Sequence, residues 1–528
     1  MKTTWLDRSI GFLAPRWQLQ RVRARLAMDM VHRHYEAAST GRRTENWARS
    51  AGDANAVLGY AVLSRLREVA RDLVRNNPYA GAALATICDH TVGWGIVPKP
   101  NPKNDQALAI WKAWAETPAC DADGRHDIYG LQTLVMSTVV ESGEVLVRYR
   151  MRLPQDGLPL PMQLEVLEPD YLDTYKTQAL PTGGQIVQGV EFDPIGRRVA
   201  YWLYPSHPGA SFSASGTIFG ASRRVPASEV LHVFKTTRPG QVRGPSWFAP
   251  VILRAKDFDE YEDAQLLKQK IAACLTVLTT DPDGTTQGLG TTDDTKDPAT
   301  DLLQPGAILN LAAGRAVEVV TPPNVGDYDK YAAVTLRGIA TGLHVGYEDL
   351  TGDFSGVNFS SARMARLRHW ARVDGWRWKM LIPQFCDPVW ARAMTVARIA
   401  GLLDGAAPSA RWTPPPMPMI EPDKEGLAVQ RNVRTGIQTL YDAMRERGYD
   451  PEEMLAEIAE TNKKLDDLGI VLDSDPRHIT QAGQGQSITI ENSRKAPGWV
   501  GRFAALLRSM PDDRATEILR AMFSDEAA

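Results

Sequence analysis

The sequence is poor in the residues and motifs that catalysis and metal binding usually need. Of 528 residues only four are cysteines, Cys88, Cys120, Cys274 and Cys386. No two of them stand in a CxxC spacing, which makes them structural thiols by default rather than a metal site or redox pair. The nine histidines form no HExxH motif, and no GxxxxGK[ST] or GxSxG occurs, so the usual phosphate loop and nucleophile elbow are excluded. No apolar run approaches the roughly 20 residues of a bilayer span. The opening MKTTWLDRSIGFLAPRW lacks the charge-then-apolar pattern and cleavage site of a signal peptide. The expectation is therefore no membrane, and assembly in the cytoplasm. Charge of one sign is also missing: the net is −3, so any nucleic-acid role would rest on local patches.

What is present is length and helical periodicity. A chain of this size suggests roughly three or four structural units, and 43% hydrophobic with 23% charged residues is ordinary for a globular protein. Residues 1–50 form a basic arm, with ten Lys or Arg against four Asp or Glu. It either docks on neighbours or stays solvated. From residue 51 apolar residues recur at helical spacing (Leu63, Leu66, Val69, Leu73), with a break at Asn76-Asn77-Pro78 and further helices over Asp105–Glu116 and Ile128–Glu141. Strands follow in GEVLVRYRMR, MQLEVLEPDYLDT, VEFDPIGRRVAYWLYP and EVLHVFK, the third reading as a hairpin that turns near Asp193 to Gly196. The fold class is α+β, mainly helical.

Residues 246–280 read as one long helix, a strut of about 45 Å at 1.5 Å per residue, whose partner is the helix over 327–345. Gly338 and Gly342, four apart, allow close approach of neighbouring helices to the second of these. The insert between them, 281–326, is loop and short strand. Eight acids from Asp281 to Asp327 face only Lys296 and Arg315 there. Paired carboxylates such as Asp293 and Asp294 could serve a metal-dependent nuclease, but the Gly/Thr/Asp-rich run from Asp283 to Pro298 has the composition of a mobile surface loop, which is the preferred reading. Residues 346–360 form a polar loop, and Ser360 or Ser361 caps the helix after it, which continues over 361–403 with a kink at Pro383. Met364, Leu367, Ala371, Trp378, Leu381 and Ile382 fall on one stripe of that helix, flanked by basic residues. Asp374 interrupts the stripe within reach of Arg377. A proline-rich connector (404–426), an acidic helical unit (427–472) and a polar tail (473–528) complete the chain.

Several stretches, in this order, resemble the lambda family of tailed-bacteriophage portal proteins: REVARDLVRNNPYAGAALATICDHTVGWGIVPKP, LEVLEPDYLDT, VEFDPIGRRVAYWLYP, VPASEVLHVFKTTRPGQVRGPSWFAPVILRAKDFDEYEDAQLLKQKIAA and YEDLTGDFSGVNFSSARMARLRHW. The likeness runs to about Leu472, and its strength lies in order over hundreds of residues rather than in one motif. It implies a non-enzymatic head-tail connector, a homo-oligomeric ring that is typically dodecameric, at one capsid vertex in the virion. Double-stranded DNA passes through such a ring irrespective of sequence. The terminase large subunit docks outside it, a head-completion or adaptor protein later replaces the motor, and major capsid and scaffold proteins surround it. It further implies a wing (51–245), two stem helices (246–280 and 327–345), a clip (281–326), a tunnel loop (346–360), a long wing helix (361–403) and a crown (427–472). No cofactor or metal is expected.

On that resemblance Asp353, Phe354, Ser355, Val357, Asn358 and Phe359 are the residues of the loop that meets DNA. Arg363 and Arg366 either meet phosphate or tie the loop to a neighbour's acid, the tie being preferred, and Lys268, Lys270 and Arg337 are the basic points of the stem. Two other functions stay open: a nuclease or packaging enzyme using the insert's aspartates, and a scaffold or adaptor ring without DNA in its lumen.

Overall fold

The computed structural model describes residues 52–210, 220–273, 277–280, 308–311 and 328–472, with Arg477 and Arg514 as isolated positions. The basic arm, nearly all of the insert with Asp293 and Asp294, Cys274, and nearly all of the tail lie outside the described residues. The chain divides into two units, Met1–Arg434 and Thr435–Ala528.

In the first unit, helices α1 (Tyr60–Asn76) and α2 (Pro78–Thr91) meet at the expected break. Asn77 caps α2 by accepting from the Ala80 N–H at 2.9 Å, and Pro78 occupies the first turn, where its missing donor costs nothing. Strand β1 (Val97–Asn101), α3 (Asp105–Ala115) and α4 (Ile128–Ser142) follow. The strand-rich part holds β2 (Glu144–Met151), β3 (Met162–Leu167), β4 (Gln178–Ala179), β5 (Gln185–Val187), β6 (Val190–Phe192), β7 (Arg198–Leu203), β8 (Arg223–Pro226) and β9 (Val230–Phe234). These form two antiparallel sheets, ordered β3-β2-β9 and β4-β5-β6-β7-β8. The expected hairpin joins β6 to β7; Asp193 holds its turn by accepting from the Ile195 and Arg197 N–H groups at 3.1 and 2.7 Å.

Where α4 runs into β2 the backbone comes unusually close to the segment that leads out of β9. Gly143, at φ 93°, lies against Gly244 and Pro245 so tightly that a Cβ on either glycine would overlap the other chain segment. One residue on, Glu144 is wholly buried, and its carboxylate accepts from Arg243 Nε at 2.8 and 3.0 Å and from the Gly244 N–H at 2.9 Å. His232 of β9 donates to it at 2.9 Å, and Arg67 of α1 stands 3.7 Å away, itself paired with Asp170 at 3.3 Å. Burial opposes ionisation of Glu144, but Arg243 and His232 outweigh it and hold the carboxyl well below the usual range. Arg198 donates to Nδ1 of His232 at 3.2 Å, so that nitrogen is bare and the ring neutral. Burial accordingly pushes His232 down to about 4.

Beyond this junction come α5 (Ile252–Ala273), β10 (Val277–Thr280), β11 (Ile308–Leu311), α6 (Tyr328–Leu343), α7 (Tyr347–Thr351), α8 (Phe359–Trp376), a π-helical segment (Arg377–Cys386) and α9 (Asp387–Ile399). Then β12 (Ser409–Thr413) and α10 (Pro422–Thr435) close the first unit. Helix α5 pairs with α6 as expected. Tyr328 donates to Glu262 at 2.9 Å, and Tyr261 touches the rings of Tyr328 and Tyr331. Gly342 lies against Val251 and Gly338 against Arg254 with no room for a Cβ at either. Cys88, Cys120 and Cys386 are buried thiols, and burial pushes the first two up to about 12. In the second unit, α11 (Leu440–Glu446) and α12 (Pro451–Leu468) are the described helices. No helix among the described residues is long and apolar enough to cross a membrane.

Several expected spans are corrected. Among the described residues the strut over 246–280 is helical only from Ile252 to Ala273. Its β-branched end, Val277 to Thr280, pairs in parallel with Ile308–Leu311 instead. The connector over 404–426 contains β12, antiparallel to β1, and the start of α10, so the helix placed from 427 begins at Pro422. Proline is tolerated in that ladder because β1 belongs to a two-stranded ribbon. Pro383 does not mark a kink between α-helices: it sits inside the π-helical segment, whose longer hydrogen-bonded loops accommodate the missing donor. The same segment shifts the helical phase, and the apolar stripe is broken by it. Met364, Leu367, Ala371 and Trp378 are exposed, whereas His369, Trp370, Val373, Trp376, Arg377 and Met380 form the buried face.

Two outcomes follow for stability. Gly342→Ala is expected to lower it by about 1–3 kcal/mol, because rigid, buried Val251 has to move, while Gly338→Ala costs less since Arg254 swings aside; thermal unfolding of both variants checks the order. A group whose folded pKa is depressed loses its contribution as pH falls. Urea unfolding should therefore show stability dropping from pH 6.5 towards 4 through His232, at up to about 1.4 kcal/mol per pH unit for one proton, with Glu144 adding to the loss below about 4.5. His232→Gln should reduce the upper part of that slope by its own share, the remainder coming from His90, His344 and His369, which burial also lowers.

Candidate functional site

Five of the six residues expected in the loop lie between α7 and α8, and the sixth, Phe359, opens α8. Helix α7 ends at Gly352, whose φ of 69° is the left-handed cap that lets the chain reverse. Asp353 then organises the turn: its Oδ1 accepts from the Ser355 N–H at 3.0 Å and from the Ser355 hydroxyl at 2.6 Å, and Tyr347 donates to Oδ2 at 3.4 Å. The Ser355 hydrogen bonds come first among the causes that hold this fully exposed carboxyl below its ordinary value, so it is an anion at neutral pH. Phe354 projects with 65% of its surface exposed. Val357 closes the turn, its N–H donating to the Phe354 carbonyl at 3.2 Å. Asn358 caps α8 by accepting from the Ser361 N–H at 2.9 Å, so the cap precedes the serines expected to supply it. Phe359 is the first residue of α8.

The basic residues do not gather at this loop as one group. Arg337 of α6 lies 5.1 Å over the Tyr347 ring and lines, with Asp353, Ser355 and Val357, a groove of about 570 Å³ between α6 and the loop. Arg363 pairs with Glu421 of its own chain at 3.5 Å. Arg366 turns the other way, into a cavity of about 320 Å³ that also holds Phe354, His90, His344 and His369. Lys268 and Lys270, near the end of α5, line neither space.

A histidine pair that the sequence did not disclose forms the floor beneath the loop. Nδ1 of His90 and Nε2 of His369 face each other at 2.9 Å, and His369 Nδ1 donates to the His344 carbonyl at 3.2 Å. Burial is the first cause that lowers both rings below the ordinary histidine value, and it keeps them neutral. Arg377, buried and pulled down to about 10 by burial, donates to the carbonyls of His90 and Thr91 at 2.7 and 2.8 Å and closes the end of α2. Asp374 pairs with it at 3.4 Å, as its spacing predicted. His90 and His369 are 279 residues apart, so no local pattern announces them. Tyr347, which grips both Asp353 and Arg337, was missed for the same reason: nothing in its neighbourhood marks it.

One acid–histidine group among the described residues has ligand-like spacing, Glu168, Asp170 and His207. Arg71 already pairs with both carboxylates, at 3.4 and 2.6 Å, and Arg67 with Asp170, so the group is neutralised from within. The described site thus offers a polar turn with Asp353 as its fixed anion and Phe354 as its projecting ring, over a cavity that Arg366, Arg368 and Arg372 line together with Glu348 and Asp349.

A family model described as phage portal protein, lambda family, matches residues 40–377. The chain belongs to that family. Among curated relatives, the probable portal protein of Halomonas phage phiHAP-1 is 26% identical over 495 residues, covering 87% of this chain and 90% of that protein. Portal protein B of Escherichia phage lambda is 22% identical over 448 residues, covering 75% and 83%. Among solved structures, a chain from the neck of a native GTA particle, computed with C12 symmetry, has a TM-score of 0.39 and 14% identity, covering 74% of this chain and 95% of that one. In this portal-family chain the loop's attachment to α8 is set by one side chain. Asn358→Ala should therefore cost about 1 kcal/mol at the start of that helix. Hydrogen exchange of the Ser360–Ala362 amides should speed up while that of Val373 stays unchanged.

Proposed function

We propose that the chain assembles into a homo-oligomeric ring, a dodecamer, at the capsid vertex of a virion, and that double-stranded DNA is packaged and ejected through its bore. In this reading residues 51–245 are the wing, α5 and α6 the stem, 281–326 the clip, 346–360 the tunnel loop, 361–403 the long wing helix and 427–472 the crown. The terminase large subunit and later a head-completion protein dock on the outside, and major capsid and scaffold proteins hold the rim. The chain acts structurally, without chemistry of its own on DNA.

The observation that carries the reading is the loop from Gly352 to Asn358: exposed, polar, stiffened by Asp353, and set at the end of the paired helices α5 and α6. A lining that lets DNA slide cannot grip phosphate tightly, and a fixed carboxylate with scattered cations meets that condition. The closed ring is supported by apolar side chains that one copy leaves bare. Leu253 on α5 and Val334 on α6 are 75% and 62% exposed, and Met364 on α8 is 67% exposed. A ring of identical subunits needs two different faces of this kind on each copy.

Negative-stain imaging of the purified protein should show annular particles with a central hole; dispersed single chains at micromolar concentration would end the ring reading. Deleting Gly352–Val357 should leave rings intact and cut DNA packaging sharply. Normal packaging by those rings would favour an adaptor whose lumen carries no DNA.

A further inference from the structure

A second cavity, of about 410 Å³, is bounded by the end of β9, the corner between α6 and α7, and the junction of α8 with the π-helical segment; it shares His344 and Arg372 with the cavity under the loop, where Glu348 and Asp349 lie. Lys235, Arg372 and Lys379 line it, and no carboxylate does. Elsewhere in the first unit, cations that gather are met by acids of the same chain: Arg67 and Arg71 by Asp170, Arg243 by Glu144, Arg363 by Glu421 and Arg377 by Asp374. Here no such acid is supplied, and among the described residues none of the three cations forms an ion pair.

The cavity is also stocked with neutral donors. His344 is held at φ 65°, and its buried Nδ1 has no hydrogen-bond partner among the described residues. Gln384 uses its side-chain oxygen on the Phe234 N–H at 3.0 Å, which leaves its amide N–H groups to donate, and Thr236 adds a hydroxyl. Lys235 is half-buried with its ammonium 4.7 Å over the Trp247 ring. Burial and the nearby Arg372 both press it towards the neutral form. Like charges in so small a space repel, and water screens them poorly where they are partly buried, so the arrangement is relieved by an anion with several acceptor oxygens. A carboxylate offers two such oxygens. Tetrahedral phosphate offers more, matching one guanidinium, two ammonium groups and the neutral donors together.

We propose that this cavity is an oxyanion site that takes a phosphate group through Lys235, Arg372 and Lys379. The phosphate comes either as the free ion or as a phosphodiester of the DNA backbone. The site belongs to the single chain, so it stands or falls independently of ring formation and of the loop's role.

The full-length protein should be titrated with inorganic phosphate at constant ionic strength, and with a short DNA duplex, by calorimetry. Saturable binding of one phosphate per chain is expected, weakened about tenfold or more by Lys235→Met and by Arg372→Met. Circular dichroism verifies that each variant folds. Should either variant fail to fold, Lys379→Met, at an exposed position, provides the same comparison with a smaller loss. Competition between duplex and phosphate for the site identifies the DNA backbone as the source, and phosphate binding without competition identifies the free ion; both support the proposal. Absence of saturable phosphate binding, or equal binding by wild type and all three variants, would overturn it.

Discussion

The buried carboxylate of Glu144 is the constraint on which the rest of the first unit turns. An ion removed from water costs several kcal/mol unless it is paired and hydrogen-bonded. Glu144 meets that demand with groups from three places: Arg243 and Gly244 on the way to α5, His232 on β9 and Arg67 on α1. Any displacement of these segments would strand a charge in the interior. The contact between Gly143 and Gly244 exists because side chains there would hold the segments apart. The start of α5 is thereby fixed on the sheet that carries β2 and β9.

From that anchor the order of elements follows mechanically. Helix α5 leaves the junction, α6 returns along it with Gly342 against Val251, and α7 turns the chain into the exposed loop before α8 carries it back into the core. The face of α8 that returns is aromatic and polar at once. His369 meets His90, and Arg377 beyond the helix ties off α2. A loop seated on a floor tied by the His90–His369 and His369–His344 hydrogen bonds can present Phe354 and Asp353 to solvent without collapsing onto the protein. That suits a surface past which a polymer slides.

The cations follow a division of labour. Arg377, Arg243 and Arg67 are structural, spent on buried carbonyls and carboxylates. Arg337 and Arg363 position neighbouring groups, one over Tyr347 and one on Glu421. Lys235, Arg372 and Lys379 form no ion pair among the described residues, and they share one cavity.

Local chemistry was legible in the sequence because each signal acts within a few residues. Asn77-Pro78 stops one helix and starts another, Asp193 closes a hairpin, and Gly338 and Gly342 mark a close helix pair. The ordered motifs also pointed to the portal family; the loop expected over 346–360 is narrower, 352–358, because Tyr347–Thr351 is helical and Asn358 already caps α8. What the sequence could not show depends on distant partners or on accumulated phase. Val277–Thr280 leaves the helix only because Ile308–Leu311 is there to pair with it. The π-helical segment rotates the later half of a stripe out of line with the first, so Leu381 and Ile382 are buried while Met364, Leu367 and Trp378 face solvent. The histidine pair and the acid-free cavity bring together residues far apart in the chain. Propensity, capping and turn chemistry were thus set by neighbours along the chain, whereas burial, charge pairing and the occupancy of cavities were decided by which segments the fold brought into contact.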